Sequence, residues 1–309
     1  MSGTRPLAGR VALVAGATRG AGRAIAVELG RAGAYVYATG RSSTRHGPSE
    51  IGRPETIEQT AEMIRAAGGD GEARRVDHAD PEQVAALVAR IEADRGRLDV
   101  LVNDCFGGDR YAEGDKPLWE HDLDGGLRML RMGVDTHLIT GARAIPLLLA
   151  TGAGLVVEVT DGTSEVNATV RPAVGFYYDL VKASVDRIVK GLAVELADTH
   201  VTALGVTPGW LRSEQMLEHF GVQERNWRDA CAAVPGFAIS ESPTYVARGV
   251  TALAADPDVR RFAGQVLTSR HLADTYGVAD TDGSRPDCWA LVAAHGFDHG
   301  APADLDSYR

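Results

Sequence analysis

The chain has 309 residues, 44% of them hydrophobic and 24% charged, with 42 acidic against 32 basic side chains. That acidic balance excludes nucleic acid or an anionic membrane as the main partner, because either rewards clustered Lys and Arg. The length suffices for a large core in one or two domains, and no run approaches the roughly 20 apolar residues needed to span a bilayer.

The cysteines at 105, 231 and 288 are odd in number and lack CxxC spacing, so they read as free thiols in a reducing compartment. The N-terminus shows no apolar core followed by a cleavage site. A cytoplasmic setting is the expectation.

In chain order, short β-type runs alternate with longer helical patterns. "RVALVAG" (10–16) predicts a buried strand and 20–32 a helix; "AYVYATG" (34–40) predicts a second strand, followed by a helix closed by glycine near 69. "GEARRVD" and "PEQVAALVARIEADRG" repeat the unit, with Pro81 at a first helical position. The strand "RLDVLVN", a long helical stretch over 118–150, the strand "GLVVEVT" and a helix over 176–197 follow. "HVTALGVTPG", a helix near 243–255 and "GQVLTS" close the series. Strands alternating with helices of this length imply βαβ crossovers: an α/β, doubly wound, Rossmann-type domain with about seven parallel strands, helices covering both faces. Residues 1–270 form that expected domain, with a lid near 210–240, and 271–309 read as an extension packed on it.

"GATRGAG" follows the first strand, with Gly16, Gly20 and Gly22 spaced GxxxGxG. Such glycines let the backbone turn tightly and approach a pyrophosphate at the N-terminus of the next helix. Thr18 and Arg19 share the loop. NAD-binding folds usually end the second strand in a carboxylate that holds the ribose 2′-OH. Here Gly40 and Arg41 stand instead, with Arg19 nearby, and two guanidiniums without an acid suit a 2′-phosphate. NADP(H) is favoured over NAD(H). Only three of the 32 basic residues are lysines. One of them, Lys182, stands four residues after Tyr178, so the two share a helix face one turn apart.

Together with "VDHADP", "RLDVLVND" and "TPGWLRS", these pieces resemble the short-chain dehydrogenase/reductase family over most of residues 8–270. The "YATGR" strand end and the tail "GQVLTSRHLADTYGVADTDGSRP" look like a narrower branch of that family. The resemblance implies interconversion of a carbonyl and an alcohol on a small-molecule substrate, and assembly as a homodimer or homotetramer. By it, Tyr178 is the acid/base and Lys182 the cation that lowers its pKa. Asp77 approaches the adenine, Asn103 the adenosine ribose region, and Pro208, Gly209 and Ser213 the nicotinamide carboxamide.

The pattern breaks at the reacting centre. Asp161 falls where the family carries a serine, Gly133 where it carries a helix asparagine, and "NNAG" has become "NDCFG" (103–107). The loop between the fifth strand and Tyr178 is a few residues longer. An ionised carboxylate ~5 Å from a phenolate opposes it by roughly 3 kcal/mol at an effective dielectric near 20. Three arrangements stay open. Asp161 turns aside and a hydroxyl of Thr160, Thr163 or Ser164 serves the substrate; or Asp161 faces the substrate, protonated or matched to an amine or iminium; or the redox chemistry is lost or changed. The last two correspond to reduction of C=N bonds and to a cofactor-binding protein with non-redox or regulatory work.

Trp210, Leu211, Met216, Phe220 and Trp227, with Phe106 and Phe176, are candidates to wall an apolar substrate pocket. Helix 176–197 is apolar on more than one face, which predicts a second copy of the chain as partner. His295 and His299 lie among acids and flanking glycines, without metal-ligand spacing. No metal is expected.

Overall fold

The computed structural model describes residues 5–297 and 305–309. Seven parallel strands form one sheet: β1 (Val11–Ala15), β2 (Tyr35–Gly40), β3 (Asp70–Arg75), β4 (Val100–Asn103), β5 (Gly154–Val159), β6 (Val201–Thr207) and β7 (Val266–Thr268), in the order β3-β2-β1-β4-β5-β6-β7. Side chains alternate across the sheet, as the pleat requires. Ala12 and Val14 enter one core with Ile25, Val250 and Leu253, while Val11 and Leu13 enter the other with Val84 and Leu147. Both faces are therefore covered by helices, which explains why the strands read as continuous apolar runs.

Those helices are α1 (Gly20–Arg31), α2 (Ile57–Ala66), α3 (Pro81–Arg95), α4 (Leu123–Leu130), α5 (Thr136–Thr151), α6 (Ser164–Asn167), α7 (Phe176–Glu195), α8 (Glu214–His219), α9 (Pro243–Ala255), α10 (Ser269–Tyr276) and α11 (Cys288–His295). Their ends follow local chemistry. Asp80 caps α3 ahead of Pro81, and Thr56 with Gln59 closes a capping box on α2. The helix expected over 118–150 is interrupted: Arg131–Asp135 widen into a π-turn between α4 and α5, centred on Gly133. The order of strands reverses between β1 and β4, so a crevice opens at their carboxyl ends. Among the described residues no helix is long and apolar enough to cross a membrane.

Candidate active site

A cavity of about 640 Å³ runs along those carboxyl ends, from Arg41 and Asp77, past Gly16–Gly20, to Tyr178 and Lys182. Its floor is set by close backbone packing. Gly16 has φ +92°, and a Cβ there would collide with the Asp104 carbonyl. Gly22 does not line the cavity; its N–H donates to Asp104 Oδ2 at 2.6 Å, and a Cβ would sit 2.5 Å from Gly16 O. Asp104, the second residue of "NDCFG", thus braces the glycine loop against β4. Burial pushes its carboxyl up to about 6.

At the second strand's end a Cβ on Gly40 would run into the Thr18 hydroxyl. The position that carries an acid in NAD-binding folds has no room for one here. Arg41 lines the cavity and is held loosely, 3.4 Å from Glu50 and 3.3 Å from Met132 Sδ. Arg19 also lines it, and its guanidinium makes no hydrogen bond or ion pair among the described residues. Thr18, Asp77, Pro208, Gly209 and Ser213 line the same cavity. Asn103 is the exception. It is buried, and its Nδ2 donates to Glu158 Oε1 at 2.8 Å rather than reaching the crevice. Glu158 in turn meets His137 at 2.5 Å, so the asparagine joins a buried polar network spanning β4, β5 and α5.

The Pro208-Gly209 turn is tied down from behind. Gly209 N–H donates to Glu241 Oε2 at 2.9 Å, and Ser269 Oγ donates to Oε1 at 2.6 Å. Burial raises the Glu241 carboxyl to about 8. Trp289, in α11, donates its indole N–H to Pro208 O at 3.0 Å and lines the cavity with Cys288. The tail therefore forms part of the wall. Of the apolar lid residues, Trp210, Leu211, Met216 and Phe106 line the cavity. Phe220 and Trp227 instead pack on Phe237 as a small core of their own, and Phe176 is exposed.

At the reacting end, Tyr178 Oη donates to Asp161 Oδ2 at 3.1 Å. Asp161 does not turn aside. Arg171, buried to 5% exposure, places Nη1 3.3 Å from that same oxygen, Nη2 3.3 Å from the Asp161 carbonyl, and Nε 2.9 Å from Asp179 Oδ1. The three hydroxyls that could have replaced the serine are engaged elsewhere. Thr160 donates to Lys182 O, Thr163 caps α6, and Ser164 donates to Asp186. The cation opposite Asp161 is thus the chain's own guanidinium. It lies in the lengthened loop ahead of α7.

Lys182 Nζ rests 3.8 Å from the centre of the Phe106 ring and 5.3 Å from that of Tyr178. Burial lowers its pKa. The Tyr178 phenol is raised well above its ordinary value, first by burial and then by the Asp161 carboxylate. This runs against the expectation of an acidified phenol: desolvation and the Asp161 carboxylate outweigh the lowering by the Arg171 guanidinium. Gly133 is explained sterically: a Cβ there would fall on Val181 Cγ1 and lie 3.1 Å from the Phe106 ring. The asparagine's space is filled by the phenylalanine of "NDCFG".

A dinucleotide fits these residues. The cavity spans from unpaired Arg19 to Lys182, a buried ammonium with no hydrogen-bond acceptor or carboxylate partner among the described residues, and a buried cation calls for one. Lys182, Arg19, Arg41 and the α1 N-terminus would hold it. Among the described residues no three His, Cys, Asp or Glu side chains group as a metal site; His299 lies outside the described residues, and His295 meets the Tyr308 hydroxyl at 3.3 Å.

Residues 10–222 match the short chain dehydrogenase family. The chain belongs to the short-chain dehydrogenase/reductase family. It is 31% identical over 283 residues to dehydrogenase/reductase SDR family member 1 of Mus musculus, covering 90% of this chain and 85% of that protein. Among solved structures it resembles a short-chain dehydrogenase/reductase of Burkholderia xenovorans, with TM-score 0.68 and 25% identity over 85% of this chain and 95% of the other. A structure from Beutenbergia cavernae, described as an NAD(P)-dependent gluconate 5-dehydrogenase with bound NADP, matches with TM-score 0.65 and 27% identity, covering 88% of this chain and all of the other. The fold and the oxidoreductase family follow.

Sequence reasoning missed Arg171, Asp104, Glu241 and Trp289. For Arg171 a signal existed: an arginine in the lengthened loop, in the same stretch of chain as an unexpected acid. Asp104 sat in plain view in the altered "NDCFG". Glu241 and Trp289 act on the site from remote segments, and no local pattern marks them.

Proposed function

We propose that the protein is an NADP(H)-dependent oxidoreductase that interconverts a ketone or aldehyde with an alcohol, Tyr178 carrying the proton. One observation carries this reading: the Tyr178 hydroxyl lies in the dinucleotide crevice with an unpaired, buried Lys182 one turn away. When bound, the nicotinamide supplies or takes up the hydride. Tyr178 gives its proton to the substrate oxygen, and Lys182 stabilises the negative charge left on the phenol oxygen. The phenol stays protonated at neutral pH, so the form that carbonyl reduction needs is present, while the phenolate that alcohol oxidation needs is scarce. NADP(H) preference is supported by the blocked acid position at Gly40 and by Arg41 and Arg19 at that end. The relative from Beutenbergia cavernae with NADP bound points the same way.

The departures that suggested a non-redox role are each compensated locally, Asp161 by Arg171 and Gly133 by Phe106. Exposed Leu180 and Val194 on α7, with Leu123 and Leu127 on α4, support a second copy as partner, a homodimer or homotetramer that sedimentation would reveal. Three free cysteines accord with a cytoplasmic setting.

The test is NADPH consumption across a panel of ketones and aldehydes, with NADH as control. Tyr178→Phe is expected to lower turnover about a thousandfold, while calorimetry finds NADP binding retained. A wild-type chain that binds NADP yet reduces nothing on the panel, or a Tyr178→Phe variant of full activity, overturns the reading.

A further inference from the structure

One oxygen of the Asp161 carboxylate takes no protein donor among the described residues. Both side-chain donors that reach the carboxylate, the Tyr178 hydroxyl and Arg171 Nη1, go to one oxygen, Oδ2. Oδ1 has no donor among the described residues, although the Asp161 side chain is 36% exposed and lines the cavity. Arg171, 3% exposed, is shared between Asp161 and Asp179, and the Lys182 ammonium lines the same cavity, so two cations already serve these two carboxylates. Oδ1 can accept one more hydrogen bond, from a neutral donor.

The position of that oxygen fixes what fills it. A substrate carbonyl oxygen protonated by Tyr178 lies within hydrogen-bond reach of Oη, and Oη is 3.1 Å from the Asp161 carboxylate. Where a serine would donate to that carbonyl oxygen, a carboxylate only accepts. A plain ketone therefore sets oxygen lone pairs against Oδ1, with a repulsion that grows as the carbonyl oxygen gains charge. A hydroxyl on the adjacent carbon sits within one hydrogen-bond length of the carbonyl oxygen and donates to Oδ1, turning the repulsion into a bond. An ammonium there would meet the Arg171 guanidinium as well, so the neutral donor suits the pair better. Phe106, Trp210 and Trp289 line the same cavity and suit an apolar, aromatic remainder.

Resting on the proposed reductase reading, we propose that the Asp161–Arg171 pair selects α-hydroxy ketones, reduced to vicinal diols, over unsubstituted ketones. The step balances as in any carbonyl reduction. Hydride from NADPH adds to the carbonyl carbon, the C=O π pair moves onto oxygen, and the Tyr178 proton completes the second hydroxyl; the α-hydroxyl keeps its own proton and lends only a hydrogen bond.

The experiment compares 2-hydroxyacetophenone, 2-aminoacetophenone and acetophenone as substrates of the wild-type protein and of Asp161→Ser. A parallel calorimetric titration of both proteins without cofactor uses 1-phenyl-1,2-ethanediol and 1-phenylethanol. One hydrogen bond to a charged acceptor predicts a preference of about ten- to a hundredfold for the hydroxy ketone in kcat/KM, and for the diol in Kd. Both ratios should fall to near one in Asp161→Ser, with the amino ketone gaining nothing in the wild type. Equal handling of hydroxy and plain compounds by the wild type, a preference that survives in Asp161→Ser, or an amino ketone favoured over the hydroxy ketone each overturns the proposal. Preferential diol binding without NADPH consumption by any ketone sinks the reductase reading and leaves the subsite standing. Consumption without preference sinks the subsite alone.

Discussion

The two ends of the cavity solve recognition by different means. At the dinucleotide end, Gly16 and Gly22 bring backbone against backbone, Gly40 abuts the Thr18 side chain, none leaves space for a Cβ, and the glycine spacing of the family is kept. At the reacting end, charged and aromatic side chains meet, and the pattern departs in matched sets: Asp161 with Arg171, Gly133 with Phe106. A constant ligand is served by backbone geometry, which tolerates no drift. A variable substrate is served by side chains that change together, because a lone change would strand a charge or overfill a space.

That contrast can be broken or sharpened by substitution. The largest effect should come from Arg171→Met, which strands Asp179 and Asp161 together. Removing one member of a buried pair costs about 3–5 kcal/mol, to be read as a drop in chemical-denaturation stability. A loss below 1 kcal/mol would mean that the reacting end is not coupled at all. Next, Asp161→Ser removes a carboxylate that raises the Tyr178 phenol. Alcohol oxidation needs the phenolate, whose share grows as pH climbs toward the phenol's pKa. Lowering that pKa by one unit makes oxidation at pH 8 about tenfold faster; an unchanged pH–rate profile would contradict this assignment.

At the other end, Arg41→Ala should weaken NADP binding about tenfold, the worth of one charge-assisted contact to a phosphate, with NAD binding unaffected. Equal losses for both dinucleotides would remove Arg41 from the 2′-phosphate site. A last prediction concerns Glu241 behind the Pro208-Gly209 turn. Its carboxyl titrates near 8 when folded against an ordinary 4.5. The folded state therefore holds the extra proton across that window, and stability falls as pH rises from 4.5 to 8. In Glu241→Gln that share of the slope should vanish from a Tm series; a slope identical to wild type would contradict the buried proton.

How much of this could be read beforehand divides along the same line. The strands and long helices announced themselves because apolar periodicity and Pro, Gly and Asp punctuation are local. The π-turn at Gly133 did not, since the Phe106 and Val181 side chains that leave no room for a Cβ there come from remote positions. Tyr178, Lys182 and the glycine loop were legible as spacings. Asn103 was expected near the adenosine ribose, and the sequence does not reveal that its side chain bonds Glu158 on the neighbouring strand β5. Whether Asp161 faced the site was undecidable without Arg171, whose approach depends on how the lengthened loop folds back.

The scarcity of lysine has a practical reach. The chain has three lysine side chains, and two of them, Lys116 and Lys190, are tied to Glu113 at 2.7 Å and Asp186 at 2.6 Å. The third, Lys182, has its amine shifted by burial toward the uncharged, nucleophilic form. A small acylating reagent read by peptide mass spectrometry would report on the crevice at a single atom, with the two tethered amines as internal standards. Protection of that atom by added dinucleotide would gauge occupancy before any substrate is known.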